Sequence, residues 1–339
     1  MRRAILKNHR AIFCGLAAAL LAASAAEAEP LKIGGVRNSA AAALYIATDK
    51  GYFAAAGIEP EFIDFDAPGP VPVAVVSGAI DIGAAGVSAP LYALAAQGGL
   101  KIIAGQAHET PGYQVTGFIV SNAAFAAGLK SLDQLDGHSI AISQIGSPVH
   151  YAAAQVALKH KVALDRVRFL PLQSNPNILS AVVGGTADTG VIPASAIAPS
   201  LAKGDLKLLG WIGDEAPWQS SAVLATPKTL DERGDLIKRF LTALKRGLKD
   251  YREAFSAPDG TRLDGPTAPA IYAILTKWLN QPPEQLRYAI PYVDTEARLD
   301  FADMERQLAW FTAQGMLKGN VTLDQVIDRR FAVEAKDTK

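Results

Sequence analysis

The fold is decided by the stretch IAISQIGSPVHY at residues 140–151. Its apolar start predicts a buried strand, the glycine a turn, and the remainder a helix. Ser147 is a favourable N-cap, and Pro148 suits the first helical position, where a missing N–H costs nothing. A strand that leads into a helix start gathers free backbone N–H groups and the positive end of the helix dipole, which favours a bound anion. The alternative is a purely structural cap, since capped helices follow strands throughout α/β proteins.

Strands and helices alternate in the part of the chain that precedes this stretch. The apolar patterns predict strands at 31–36, 58–65, 80–83 and 100–104, and helices at 40–50, 71–77 and 88–97. Such alternation is typical of an α/β fold with a largely parallel sheet.

The same order of elements returns 107 residues later. Ile33 recurs as Ile140, and the Gly-x-x-Asp-x-Gly motif at 78–83 recurs at 185–190. Chance matches between common apolar residues contribute to such an alignment, but the spacing of glycine and aspartate is more specific. The repeat predicts two lobes of similar construction, each a small mostly parallel sheet flanked by helices.

The first residues have the pattern of a secretory signal peptide. A basic start precedes an apolar run at 11–23, and Ala26-Glu27-Ala28 fits a small-x-small cleavage site. We expect a signal peptide at 1–28, cleavage near Ala28 and a periplasmic protein. The single cysteine, Cys14, lies in that run. Without these residues 29 Lys/Arg face 32 Asp/Glu, a net charge of −3, which excludes the basic surplus of a nucleic-acid-binding protein.

The predicted first lobe is discontinuous. It comprises 29–116 and 225–339, and the second lobe comprises 117–224 with both hinge crossings, extended at 116–120 and 221–225. A long amphipathic helix at 230–255 follows the return crossing. The remainder is predicted to be helical and to cover the first sheet.

Several motifs resemble one transport family. LYIATDKGYF at 44–53, GIEPEF at 57–62 and GAIDIG at 78–83 are similar to the opening of the nitrate/sulfonate/taurine-type substrate-binding proteins of ABC importers. Gly146 to Tyr151 resembles the anion loop of their second lobe, and Trp310-Phe311 with 315–317 resembles their closing helices. The resemblance implies a type II periplasmic binding protein fold, a ligand in the cleft, hinge closure and docking on a membrane permease.

The resemblance leaves the ligand open. Members of the family carry alkanesulfonates, taurine, nitrate, aromatic acids or pyrimidine vitamin precursors. The third loop of their second lobe often has an aromatic residue before its proline, where this chain has Val191-Ile192-Pro193. We expect a small organic anion with a sulfonate or a carboxylate group, either aliphatic or aromatic. The alternatives are a neutral pyrimidine-type precursor, or a biosynthetic enzyme on the same fold.

The candidate ligand-binding residues lie mainly in loops after strands, because ligands of such sheets bind at the carboxyl ends of the strands. They are Arg37, Asn38, Ser39, Tyr45, Gly86, Ser88, His108, Gln144, Ser147, Val149, His150, Asn175, Pro193 and Trp218. Ser147 and the N–H groups of Val149 and His150 are the first choice for the acidic group of the ligand. Each of the others has a structural alternative, such as a turn, a cap or a surface cation. Trp211 lies in an apolar strand and is predicted to be core.

Enzyme signatures are missing. The chain has no Gly-x-Ser-x-Gly elbow, no phosphate loop and no His-Glu-x-x-His motif, since His108-Glu109 lacks the second histidine. We therefore predict no catalytic residues, no metal, no cofactor and no enzymatic activity. The predicted partners are the ligand and an ABC importer permease, and the predicted state is a monomer.

Overall fold

Ten β-strands build two sheets in the computed structural model, which describes residues 28–335. The strands are β1 (Glu29–Val36), β2 (Ile58–Phe65), β3 (Ile82–Gly86), β4 (Lys101–Glu109), β5 (Thr116–Ser121), β6 (Ser139–Ile142), β7 (Arg168–Pro171), β8 (Thr189–Pro193), β9 (Leu206–Trp211) and β10 (Trp218–Ala225). The α-helices are α1 (Ala42–Asp49), α2 (Tyr52–Ala55), α3 (Pro70–Val76), α4 (Ala89–Ala96), α5 (Asn122–Ala127), α6 (Pro148–Lys159), α7 (Asn175–Val183), α8 (Ala194–Lys203), α9 (Ile212–Glu215), α10 (Pro227–Glu232), α11 (Gly234–Phe255), α12 (Ala268–Leu279), α13 (Pro283–Leu286), α14 (Phe301–Ala313) and α15 (Leu323–Val326). The signal peptide predicted at 1–28 lies outside the described residues except for Ala28.

The two sheets have the same strand plan. The first has the order β2-β1-β3-β10-β4 and the second the order β7-β6-β8-β5-β9. In each sheet the fourth strand is antiparallel to its neighbours. The chain leaves the first sheet at the end of β4 and enters the second as β5. It returns from β9 to β10.

The two predicted hinge crossings are therefore inner strands of the sheets. Every residue of β5 is buried, and so is most of β10. Their apolar side chains are covered on both faces, which favours a central position in a sheet over a connection. Two crossing segments connect the sheets: the first is 110–115 and the second is 212–217. Residues 218–224, assigned from the sequence to the second lobe, lie in the first sheet.

The internal repeat corresponds to equal strand register. Ile33 pairs with Phe62 in the first sheet, and Ile140 pairs with Phe169 in the second. The aspartate of the repeated motif also has one role in both lobes. Asp81 accepts a hydrogen bond from the backbone N–H of Lys32, and Asp188 accepts one from that of Ser139, each at 2.8 Å. The carboxylate thus satisfies a strand N–H that the ladder leaves unpaired.

The first sheet is covered by different helices on its two faces. One face carries α1, α11 and α12, whose buried side chains form a single apolar cluster. The predicted helix at 230–255 is divided at Arg233, which pairs with Asp81, so that α10 and α11 are separate. Gly247 of α11 lies against the backbone oxygen of Ala43, and any side chain there would meet that carbonyl.

The C-terminal segment contacts both lobes rather than covering the first sheet alone. Residues 287–300 run along the edge strand β4, where the Gly105 N–H donates to the Ala297 carbonyl at 2.8 Å. This contact protects an otherwise open sheet edge. The following helix α14 packs between α4 of the first lobe and α6 of the second. One apolar cluster consequently extends through both lobes.

Candidate ligand cleft

The lobes meet where helices begin after parallel strands. The Ala89 N–H at the start of α4 donates to the Gly146 carbonyl of the second lobe at 3.0 Å. Gly86, at the end of β3, lies against the ring of Pro148. Gly146 has a φ of +78°, a conformation that favours glycine, and this turn brings the loop against the first lobe. The carboxyl ends of the parallel strands of the two sheets therefore face one another at this contact between the lobes.

Ser147, the first choice for the anion, caps α6 as expected. Its Oγ accepts from the His150 N–H at 3.3 Å, and Nδ1 of His150 accepts from the Gly146 N–H at 3.0 Å. His150 packs edge-on against Phe169 and Trp310, and burial lowers its pKa to about 4. The imidazole is thus neutral near pH 7. The N–H groups of Gly146 and His150 already donate to His150 Nδ1 and Ser147 Oγ within this loop. Binding of an anion by Ser147 and the N–H groups at the start of α6 therefore stays a prediction.

The polar residues predicted on the first lobe follow β1 and β3, at the carboxyl ends of these parallel strands. Arg37 is exposed and paired with Asp64. Asn38 is exposed and accepts from the Ala40 N–H at 3.0 Å, and Ser39 opens a short 3₁₀ turn. Ser88 caps α4 and accepts from the Leu91 N–H at 3.4 Å. In the second lobe Gln144, in the loop after β6, and Asn175, the first residue of α7, are exposed, while Val149 and Pro193 are half-buried.

Three of the predicted residues lie in the apolar interior instead of the cleft. Tyr45 is 4% exposed and stacks on Trp278. His108 is 7% exposed, because the segment along the edge of β4 covers it with Tyr292. Trp218 is 4% exposed. Their expected position facing a ligand is corrected, since neighbouring elements distant in sequence bury each ring.

A cavity of about 250 Å³ lies between the lobes beside the crossing segments. It is lined by Gly112, Gln114, Ala194, Trp211, Arg262, Arg287, Tyr288 and Ile290. Ala194 and Trp211 belong to the second lobe, whereas Ile290 belongs to the apolar cluster of the first. Trp211, predicted to be core, is half-buried and forms part of the wall. Ala194 directly follows the candidate Pro193, but none of the lining residues is itself among the predicted ligand-binding residues.

Arg262 is held in place by a turn that the first crossing segment fixes. The Tyr113 hydroxyl is 2.6 Å from Ser256 Oγ and donates to the Gly260 carbonyl at 3.0 Å. A β-bridge joins Ser256 to Arg262. The Arg262 guanidinium is 2.7 Å from the Asp264 carboxylate. One of the two arginines that line the cavity is therefore already in an ion pair. No local sequence signal marks Arg262 or Arg287, because both lie in irregular segments that only the tertiary fold brings to the cleft.

The ends of the first crossing are joined by a buried carboxyl group. Glu109, the last residue of β4, accepts a hydrogen bond from the Thr116 hydroxyl at 2.5 Å. Among the described residues its Oε2 and the Nε1 of Trp218 have no hydrogen-bond partner. Burial raises the pKa of Glu109 to about 7, and the bond from Thr116 opposes that shift only in part. Burial therefore favours the protonated form of this carboxyl group.

A second buried carboxyl group connects the two lobes. Asp303 of α14 accepts from the Tyr151 hydroxyl of α6 and from the Gln219 N–H of β10, both at 2.8 Å. Gln307 donates to it at 2.7 Å. Burial raises the pKa of Asp303, while these donors oppose the rise. The carboxylate thus ties the second lobe to β10, an inner strand of the first sheet.

Metal-binding clusters and membrane-spanning helices are both absent from residues 28–335. No group of three or more His, Cys, Asp or Glu side chains there is arranged to hold a metal ion. No helix in the same range is long and apolar enough to cross a membrane.

The chain matches one protein family and several solved structures. The family described as NMT1/THI5 like matches residues 38–259. The periplasmic aliphatic sulphonate-binding protein SsuA of Escherichia coli is 18% identical, with a TM-score of 0.69 over 92% of this chain and 96% of that one. Alkanesulfonate-binding SsuA of Xanthomonas axonopodis pv. citri, bound to MOPS, is 20% identical, with a TM-score of 0.66 over 90% and 99%. No curated protein sequence matches the chain.

A nitrate-binding protein has the same fold. The periplasmic protein NrtA of Synechocystis PCC 6803 is 15% identical, with a TM-score of 0.64 over 90% of this chain and 87% of that one. At these identities the likeness establishes the architecture, not the ligand. The predicted fold class, a two-lobed α/β periplasmic binding protein, is confirmed.

Proposed function

The chain belongs to the NMT1/THI5-like family, and from this premise we propose that it is a periplasmic receptor that delivers a small organic anion to an ABC importer. The observation that carries the proposal is the cavity between two lobes of equal plan, with walls from both lobes and from a crossing segment. A ligand there contacts both lobes at once. Similar proteins named for sulphonate and nitrate binding support an acidic ligand.

The receptor works by a shift between open and closed arrangements. A ligand that contacts both lobes binds the closed arrangement more tightly than the open one, and it shifts the population by that difference in affinity. The permease then recognises the closed surface. Release follows when docking separates the lobes and removes one half of the ligand contacts.

The location is proposed from the sequence. The signal peptide predicted at 1–28 directs export, and the partner would be a permease in the inner membrane. Mass spectrometry of protein recovered from the periplasm tests both points, since cleavage near Ala28 sets the mass. A full-length mass in the cytoplasmic fraction would contradict them.

A thermal-shift screen tests the proposed class of ligand. The panel contains nitrate, taurine, alkanesulfonates, aromatic carboxylates and sulfonates, and neutral pyrimidines. A ligand at 100 times its Kd stabilises a protein by roughly 2.7 kcal/mol, which gives a clear shift. We expect stabilisation by organic acids. A response to neutral pyrimidines alone would keep the receptor and exclude the acid, whereas product formation from any panel member would favour the enzyme.

A further inference from the structure

We propose that the cavity beside the crossing segments is the site of the acidic group, and that the ligand is a small aromatic carboxylate or sulfonate held by Arg287 and Arg262. The inference rests on the proposed function and deepens it. It places the anion at the wall formed by the C-terminal segment of the first lobe, away from the loop at Ser147 that the sequence favoured.

The two arginines give this cavity its positive charge. Arg262 donates through Nη2 to Asp264 and to the Tyr272 hydroxyl, which leaves other guanidinium N–H groups for a ligand. The ion pairs found within residues 28–335 include none for Arg287, which is exposed at the cavity. Arg287 therefore supplies the arginine charge at the cavity that no ion pair within residues 28–335 offsets. A planar guanidinium donates two parallel hydrogen bonds to a carboxylate or sulfonate, so it fixes the orientation of the acid.

The other lining residues suit a ring. Trp211 is half-buried on the second lobe, and Tyr288 is 51% exposed on the first, so two aromatic faces border the same space. Ile290 adds an apolar surface, and Gln114 an amide. Aromatic side chains interact with a flat ligand by stacking or edge contacts. The volume of about 250 Å³ is slightly below the roughly 300–1,000 Å³ usual for sites of drug-sized ligands, which favours one ring over a long chain.

The second lobe also supplies a weaker electrostatic contribution. Ala194 is the first residue of α8, a helix of ten residues, so the positive end of the helix dipole lies at the cavity. Asp214, which accepts from the Gly112 N–H at 2.8 Å, is the opposing charge nearby. Because the positive groups come from both lobes, an anion that touches them joins the lobes.

Calorimetric titration of the purified protein tests the site with four probes: benzoate, benzenesulfonate, neutral benzamide and the non-aromatic methanesulfonate. We expect one of the two aromatic acids to bind, and which one binds identifies the acidic group. Benzamide and methanesulfonate should bind at least about 10-fold more weakly, since each lacks one of the two recognised features. Arg287→Ala should weaken binding of the aromatic acid by about 10- to 100-fold, and Arg287→Lys should restore part of the loss.

Arg168→Ala is the matched control. Arg168 is also an exposed arginine, but it is the first residue of β7 and does not line the cavity. Trp211→Phe provides a second readout and should abolish most of the ligand-induced change in tryptophan fluorescence. Equal binding by Arg287→Ala and the wild type would overturn the site while leaving the receptor function intact. Failure of both aromatic acids to bind, with a response to other panel acids, would overturn the aromatic class.

Discussion

Glu109 is a buried carboxyl group whose protonation should affect stability. Its pKa rises from 4.5 to about 7 on folding, so the folded protein binds a proton that the unfolded chain releases. The resulting stabilisation is complete below pH 4.5 and is lost as the pH rises through 7. A shift of this size corresponds to roughly 3 kcal/mol.

Glu109→Gln should remove this dependence, because an amide keeps a hydrogen-bonding group and does not titrate. Chemical denaturation at pH 5 and pH 8 measures the effect. We expect the wild type to lose more stability than Glu109→Gln between these two values. A variant that loses as much as the wild type would show that another group controls the pH dependence.

The candidate residues show what sequence can predict about single positions. Ser147, the predicted N-cap, caps α6, and Ser88, for which a cap was one alternative, caps α4, because capping depends on neighbouring residues alone. Tyr45 and His108 were expected in the cleft but are buried by residues more than 150 positions away. The spacing of neighbouring residues cannot predict that a ring is buried by residues far away in the sequence.

Helix α11 illustrates how one element is positioned by its packing. Its apolar stripe was evident from the sequence, but the close approach to α1 requires glycine at position 247. The predicted crossings are extended, but they are inner strands of the two sheets and not a hinge. The pairing partners of β5 and β10 come from distant parts of the chain, so local sequence carries no direct signal of sheet order.

Gly247→Ala should destabilise the protein by about 1–3 kcal/mol, because the new methyl group meets the Ala43 carbonyl and forces the helices apart. Gly234→Ala is the control on the same helix. Its nearest neighbour is a ring atom of Phe331 at 3.9 Å, which is ordinary contact. Urea denaturation of both variants gives the comparison. A loss no greater for Gly247→Ala than for Gly234→Ala would contradict the packing argument.

The lobes are coupled across the molecule by the hydrogen bonds of Asp303. Tyr151→Phe removes the donor from the second lobe and should lower the free energy of unfolding by about 1–3 kcal/mol, since a buried carboxylate loses a partner. It should also increase amide hydrogen exchange in α6. Tyr45→Phe, within the first lobe, is the control. Unchanged exchange in α6 would show that Asp303 does not couple the lobes.

The architecture as a whole was predictable because it is repeated. Two copies of one motif at equal spacing predicted two sheets, and equal register followed. The cavity was not predictable, since its arginines come from turns near 262 and 287 that have no counterpart in the repeat. The internal repeat thus indicated the fold, while the site depends on the contact between the C-terminal segment and the second lobe.

Small-angle X-ray scattering tests most directly whether an organic anion draws the lobes together. The purified protein would be measured alone and with a saturating concentration of the best-binding acid from the screen, with Arg287→Ala at the same concentration as the comparison. We expect a smaller radius of gyration for the wild type with the acid, and a smaller change for the variant. An acid that binds by calorimetry but leaves the wild-type scattering unchanged would contradict ligand-driven closure.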